Sequence, residues 1–346
     1  MEDPIEEVPV SKKKSLINTL IKVILPLALG IFIIVYLFRD INFKDVWHII
    51  KDANWGILLF SLLFGLIGHT LRGYRWELFI TPLGYKARIA NLSYAIYGGY
   101  AVNFALPRAG ELWKCGIVAK EEKIPFTKLF GTMILDRIFD SLTVIVICLI
   151  AFLFNMQFFI TQLKQNQAAF DTVLGILKSP LLYILIAAAI ITTYIIFKFF
   201  KENFIVRKVK GFIKETIKDA KAIWNMKTKG KLALYTIGIW GAYFLYFYIT
   251  FFAFDFTKDL GITAGLIAFA LSSLSMGVPS NGGLGPWQVA VIAALSLYGV
   301  SNLEATAFAT GVFGIQSLWV IILGLFGFIM LALNKKSSPT KQNVTK

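Results

Sequence analysis

Six apolar runs, residues 16–38, 54–80, 127–154, 181–200, 232–254 and 302–333, are each long enough to cross the hydrocarbon of a bilayer as a helix. About 20 residues rising 1.5 Å each cover the roughly 30 Å required. In lipid, a spanning segment must satisfy its own backbone, which leaves helices or closed barrels, and runs of this length select helices. Only 16% of the 346 residues are charged and the mean hydropathy is +0.69, whereas a soluble domain carries about one-quarter charged residues. An ordinary soluble enzyme is thereby excluded. The expected fold class is all-α, a polytopic integral membrane protein.

The N-terminal run is too long for a signal peptide and no A-x-A site follows it, so residues 1–15 read as a cytoplasmic tail and 16–38 as a first span. Cys115 and Cys148 form no C-x-x-C or secreted pattern, so no disulfide framework is expected. The formal net charge is +15. Because the charges flank apolar runs, they read as positive-inside sorting and contact with anionic lipid headgroups, not as a nucleic-acid surface.

Two further apolar regions, 91–118 and 262–298, are broken near their middles by Pro and Gly. Each half is too short to span, so we expect two re-entrant helical hairpins, tolerated at membrane depth only where they are buried or line a wet cavity. With both termini inside, the external Lys/Arg are Arg39, Lys44, Lys51, Lys164, Lys178 and Lys258. Arg108, Lys114 and Arg137 lie in the membrane region, and the remaining 26 of 35 are cytoplasmic. This map has an inverted repeat, 54–154 and 232–333, each reading span, hairpin, span, within one transmembrane domain over 16–333. Inverted repeats with discontinuous helices are the logic of alternating-access transporters. Residues 42–55 read as a short interfacial helix. The basic segment 201–229 reads as a cytoplasmic amphipathic helix touching anionic lipid or as a solvated connector. Residues 155–179 read as an external loop and 334–346 as a cytoplasmic tail.

The first hairpin holds Arg108, Glu111 and Lys114 at i, i+3, i+6, one face of a helix that Pro107 is suited to start. Free amides at that helix end, with Arg108, make a phosphate site; the alternative is a self-neutralising Arg108-Glu111-Lys114 ladder. The second hairpin reads Pro279-Ser280-Asn281-Gly282-Gly283-Leu284-Gly285-Pro286-Trp287-Gln288. Pro286 again suits a helix start, the glycines admit close backbone approach, and Ser280, Asn281 and Gln288 offer neutral hydrogen bonds; a packing kink is the alternative. Asp136 and Asp140 share a helix face, with Arg137 able to pair with Asp140 and Asp136 within reach of Arg108 or Lys114. They read equally as a structural ion pair and as a proton or substrate relay. Arg72 and Arg75, near Trp76, read by default as an interfacial belt and alternatively as a cytoplasmic gate for an acidic headgroup. Tyr243 to Phe256 read as a packing or lipid-facing surface. No catalytic or metal-ligand constellation is recognised, so catalytic residues, metal and cofactor are expected to be absent.

At Leu106-Pro107-Arg108-Ala109-Gly110-Glu111 and Gly282-Gly283-Leu284-Gly285 the chain resembles the lysylphosphatidylglycerol synthase transmembrane region family, also called flippase-like domain proteins, over residues 16–333. Arg108, Gly110 and Glu111 match its R-x-G-E element, and Gly282, Gly283 and Gly285 its second glycine element. Relatives commonly carry an extra residue between the proline and the arginine and an acid near Gln288; the neutral Gln288 argues against proton carriage there. The resemblance implies movement of phospholipid between leaflets. The chain is expected to lack the aminoacyl-transferase module, so lysyl transfer is not expected.

The leading expectation is therefore a translocase of the cytoplasmic membrane that moves a phospholipid or lipid-linked anionic headgroup. Arg108 and the two half-helices would hold the phosphate, while Glu111 and Asp140 balance charge. The alternatives are a membrane-embedded enzyme in lipid-linked glycan or aminoacyl-lipid metabolism, a non-catalytic partner of a separately encoded transferase, and a small-anion secondary transporter.

Overall fold

The computed structural model describes residues 43–157 and 228–334, with single positions 179, 180, 184, 211 and 218 between them. The expected spans 16–38 and 181–200, the segment 201–229, most of the loop 155–179 and nearly all of the tail therefore lie outside the described residues. Those described are helical throughout. In chain order the helices are α1 (Phe43–Asp52), α2 (Trp55–Ile80), α3 (Ile89–Ala105), α4 (Ala109–Glu122), α5 (Phe126–Phe154), α6 (Lys229–Tyr248), α7 (Gly261–Ser275), α8 (Pro286–Ser296) and α9 (Asn302–Asn334). Short 3-10 turns extend α2 over Thr81–Leu83 and α6 over Ile249–Ala253.

Four of these elements are long and apolar enough to cross a membrane: Trp55–Leu83, Phe126–Phe154, Lys229–Ala253 and Asn302–Asn334. Side chains such as Ile145, Leu149 and Leu153 on α5 and Ile322, Leu325 and Ile329 on α9 are exposed. Such apolar stripes need a lipid or protein neighbour, since they are far more extensive than a soluble surface tolerates. Between the long helices lie two pairs of short ones. By rise per residue, α3 and α4 reach about 26 and 21 Å, and α7 and α8 about 22 and 16 Å, all less than the hydrocarbon thickness.

The order long, short, short, long thus occurs twice, in α2–α5 and α6–α9. Packing follows the same exchange. The opening helices α2 and α6 lie against each other, α3 packs on α9 of the other unit, and α7 packs on α5. Glycines make the first contact close: a Cβ on Gly65 would meet the Tyr246 ring at 2.9 Å, and one on Gly68 the Tyr243 ring. Small residues at helix crossings are the expected device in lipid, where packing replaces the hydrophobic effect as the driving force. The larger core lies mainly among α6–α9, around Phe247, Phe251, Phe254 and Phe308. A second core around Trp76, Phe79, Leu92 and Leu129 joins α2–α5.

Most boundaries agree with the apolar pattern, and α8 does begin at Pro286. The start of α4 corrects the sequence reading. The helix begins at Ala109, with Pro107 in the preceding turn and Arg108 as a left-handed N-cap, φ 60°. A non-glycine residue in that region costs about 1–2 kcal/mol, so the surrounding contacts must hold Arg108 there.

A candidate site in a charge cluster of three helices

Arg72 and Arg75 are not belt residues; they are 6% and 0% exposed. Three residues apart on α2, they project from one face toward Asp136 and Asp140, four apart on α5. Arg75 Nη2 bridges the two acids, 2.5 Å from Asp136 Oδ1 and 2.6 Å from Asp140 Oδ1. Arg72 lies 3.3 Å from Asp136 Oδ2 and 2.6 Å from Asp140 Oδ2. Arg137 Nη2 adds contacts at 3.0 and 3.2 Å to the same acids. The expected Arg137–Asp140 pair is therefore present. The partners of Asp136 are Arg75, Arg72 and Arg137, not Arg108 or Lys114, because the α2 arginines occupy the space facing it.

A second pair adjoins the first. Lys114 Nζ is 2.6 Å from Glu111 Oε2, and Arg137 Nη1 is 3.7 Å from Glu111 Oε1. Lys114 also sits over the Trp76 ring, 5.3 Å from its centroid, a cation–π contact. Trp76 Nε1 in turn donates to Thr132 Oγ1 at 3.0 Å. Arg108 takes no part in this ladder. It is exposed and its Nη2 donates to the Gly277 carbonyl at 2.6 Å.

Four cations, Arg72, Arg75, Lys114 and Arg137, thus meet three carboxylates, Glu111, Asp136 and Asp140, leaving one surplus positive charge among the described residues. Arg75 Nε and Nη1 and Arg137 Nε are buried without hydrogen-bond partners there. A buried guanidinium with unfilled donor positions favours an anion. The polar set extends beyond the charges. Tyr243 hydroxyl accepts from Arg72 Nε at 2.9 Å, lies 2.9 Å from His69 Nδ1 and is 3.4 Å from Tyr100 hydroxyl. A crevice lined by residues including Arg72, Tyr100, Asn103, Glu111, Lys114 and Asp136 opens beside this cluster. It offers only about 10 Å³, roughly the space of one water.

The hairpin tips meet. Asn281 Nδ2 donates to the Phe104 carbonyl at 3.0 Å, beside the Arg108–Gly277 bond, and a Cβ on Gly282 would meet the Phe104 ring. Gly282, Gly283 and Gly285 have φ of 62°, 94° and 90°, a backbone course that only glycine follows without strain.

The helix ends are already capped. Ala109 N–H donates to Leu106 O at 3.1 Å and Gly110 N–H to Asn103 Oδ1 at 2.8 Å, so two of the amides expected to be free are engaged. At the other tip Gln288 Oε1 accepts from Gly285 N–H at 2.7 Å, and Ser280 Oγ donates to Val278 O at 3.3 Å. Gly110 is a packing position: a Cβ there would overlap the Gly99 carbonyl oxygen. Of the side chains singled out in sequence, Glu111, Lys114, Asp136, Arg137, Asp140, Arg72 and Arg75 converge on the charge cluster. Arg108 and Asn281 join the two tips, while Gln288 and Ser280 bond within their own loop. His69, Tyr100, Asn103 and Tyr243 were missed. Their signal was weak, a polar atom in an otherwise apolar helix; Tyr243 sits in a stretch read as packing surface.

Comparison with known proteins bears on this geometry. A 102-residue stretch, 29% of the chain, is 26% identical to the protein named Glycosyltransferase AglD of Haloferax volcanii, covering 16% of that protein. A 118-residue stretch, 33% of the chain, is 21% identical to a UPF0104 membrane protein of Methanocaldococcus jannaschii, covering 35% of it. The chain thus aligns with about one-sixth and one-third of the lengths of these relatives. No solved structure matches it. The model of the lysylphosphatidylglycerol synthase TM region matches residues 23–324. With the tips of its two short-helix pairs in contact and a charge cluster on α2, α4 and α5, this multi-pass membrane protein belongs to the lysylphosphatidylglycerol synthase transmembrane region family.

Proposed function

We propose that the protein is a lipid translocase of the cytoplasmic membrane, moving a phospholipid or lipid-linked anionic headgroup between leaflets. In this reading it has six spans, both termini inside, and two re-entrant hairpins, α3–α4 entering from the cytoplasm and α7–α8 from outside. The observation that carries it is the surplus cation of this cluster, in which Arg72, Arg75 and Lys114 are buried and Arg137 stands half-exposed at the edge. Intramembrane charges are costly and usually mark a pathway, and a purely structural network has no need of an unbalanced charge.

The mechanism follows from the pairing. A phosphate entering beside the exposed Arg108 meets Lys114 and Arg72 at the crevice, where it competes with Glu111 for Lys114. Passage is an exchange of one anion for another at fixed cations, so no cation is left bare in hydrocarbon, where an unpaired charge is most expensive. The acyl chains remain in lipid. Parting of the tips at Arg108–Gly277 and Asn281–Phe104 opens the crevice.

Reconstitution in liposomes containing fluorescent phosphatidylglycerol tests this. Wild type should accelerate leaflet exchange. The double variant Glu111→Gln/Lys114→Gln removes one charge of each sign and should slow exchange about tenfold or more, the effect of losing a single charge-assisted contact of about 1.5–3 kcal/mol. Equal exchange by both proteins contradicts the proposal. The similarity to a protein named a glycosyltransferase favours one second reading, a partner or enzyme in lipid-linked glycan metabolism. Glycosyl transfer by the purified protein, without leaflet exchange, would select it.

A further inference from the structure

We infer that a groove between α4 and α9 is the binding site for a hydrocarbon chain of the lipid whose headgroup the charge cluster holds. This rests on the lipid-substrate reading above and specifies where the chain lies. The groove has a volume of about 180 Å³ and is lined by Trp113 and Ile117 of α4 and Phe328, Leu331 and Ala332 of α9. Its lining side chains are all aromatic or aliphatic. One wall includes the edge-to-face contact of Trp113 and Phe328, centroids 5.0 Å apart.

Its position relative to the crevice supplies the argument. Trp113 and Lys114 are consecutive on α4, so they differ by about 100° around the axis and 1.5 Å along it. Ile117 continues the Trp113 face at i+4, as Glu111 and Lys114 define the crevice face. The same division falls on α3. A Cβ on Gly98 would meet the rings of Trp113 and Phe328, whereas a Cβ on Gly99 would meet the Gly110 carbonyl oxygen at 3.1 Å and Lys114 Cβ at 3.4 Å. Of two adjacent glycines, Gly98 thus seats the two rings that line the apolar groove and Gly99 lines the charged crevice.

A lipid held by its phosphate at Lys114 has its glycerol at the edge of α4, and a chain leaving that edge runs into the groove. In a membrane, apolar surface alone does not select an occupant, because bulk lipid satisfies it equally. The headgroup tether supplies the selection: it raises the effective concentration of that one chain at the groove.

Two measurements on the full chain test this. Phosphatidylglycerol carrying a diazirine in its acyl chain is photolysed with the protein in vesicles, and the labelled peptides are identified. Label should concentrate on Trp113, Ile117, Phe328 and Ala332 and fall at least about fivefold in Glu111→Gln/Lys114→Gln, in proportion to the lost tether. Label spread evenly over the exposed faces of α5 and α9, or absent from the groove because another part of this chain fills it, overturns the inference. Secondly, Ala332→Trp should slow leaflet exchange about tenfold by overpacking the groove, with Leu325→Trp on the lipid-facing side of α9 unchanged. Equal rates for Ala332→Trp and wild type overturn the inference while leaving the translocase reading in place. Photolabelling needs no transport, so groove labelling without leaflet exchange would sink that reading and not this one.

Discussion

Asp136→Asn should be the most damaging conservative substitution in the described structure, lowering stability by about 3–5 kcal/mol, the usual cost of breaking a buried ion pair. The side chain keeps its shape, so no cavity is made. What changes is charge: Asp136 faces Arg75, Arg72 and Arg137 at 2.5, 3.3 and 3.0 Å, and its loss turns a surplus of one cation into a surplus of two. Arg75→Met, by contrast, balances the cluster at three cations and three carboxylates. The double variant Asp136→Asn/Arg75→Met should therefore recover at least half of the loss. Thermal unfolding of the detergent-solubilised full chain measures this. The expected fall in midpoint for Asp136→Asn is about 6–20 °C, from the 2–4 °C per kcal/mol typical of larger domains. A single variant as stable as wild type, or a double variant no better than Asp136→Asn, would show that the cluster is not electrostatically tight.

Gly110→Ala is expected to have the second largest effect, and its sign separates a packing role from a ligand-contact role. A Cβ on Gly110 would overlap the Gly99 carbonyl oxygen and lie 2.7 Å from Asn103 Oδ1, the acceptor that caps α4. Both contacts are to groups that cannot swing away cheaply, one backbone and one a cap. The α3 and α4 axes must separate, at about 1–3 kcal/mol or more for overpacking, plus about 1 kcal/mol for a weakened cap. Gly99→Ala, whose Cβ would stand 3.1 Å from the Gly110 carbonyl oxygen, should cost less. Gly116→Ala on the same helix meets nothing within 4 Å and should be neutral or stabilising by about 0.5–1 kcal/mol, as expected when glycine leaves a helix interior. Unfolding of the three variants gives the order Gly110→Ala, Gly99→Ala, Gly116→Ala. Equal stability for all three would contradict a close α3–α4 crossing.

The helices were legible because their signals are local. Apolar runs of 20 or more residues and the breaks at Leu106-Pro107-Arg108 and Val278-Pro279 place the boundaries of α3 and α7 within a few residues. Even the start of α8 at Pro286 follows from the residue type. The pairing of charges was less legible, because it depends on which helices touch. Asp136 and Asp140 on one face, and Arg72 and Arg75 on another, are each evident from spacing. That the two faces meet depends on the packing of α2 against α5 and α6, to which Gly65 and Gly68 contribute by admitting Tyr246 and Tyr243. Gly110 and Gln288 show a different limit of the sequence. Each lies in a motif suggestive of ligand contact, yet one is occupied by a neighbouring backbone and the other by its own helix end. Such local uses are hard to tell from ligand contacts until the partner atom is known.

Family membership and the two-hairpin geometry point to a role with membrane lipid; the claim of translocation is carried by the charges. The most direct test of that claim is the rate of leaflet exchange of phosphatidylglycerol in liposomes containing wild type or Arg108→Ala. Arg108 is exposed and makes its one described hydrogen bond to the opposite hairpin, so its truncation should leave the protein folded while removing the cation proposed to meet an entering phosphate. The account predicts exchange well above that of protein-free liposomes for wild type and about tenfold slower exchange for Arg108→Ala, on the scale of one charge-assisted hydrogen bond. Exchange at the same rate by both proteins, or by wild type and protein-free liposomes, would contradict it.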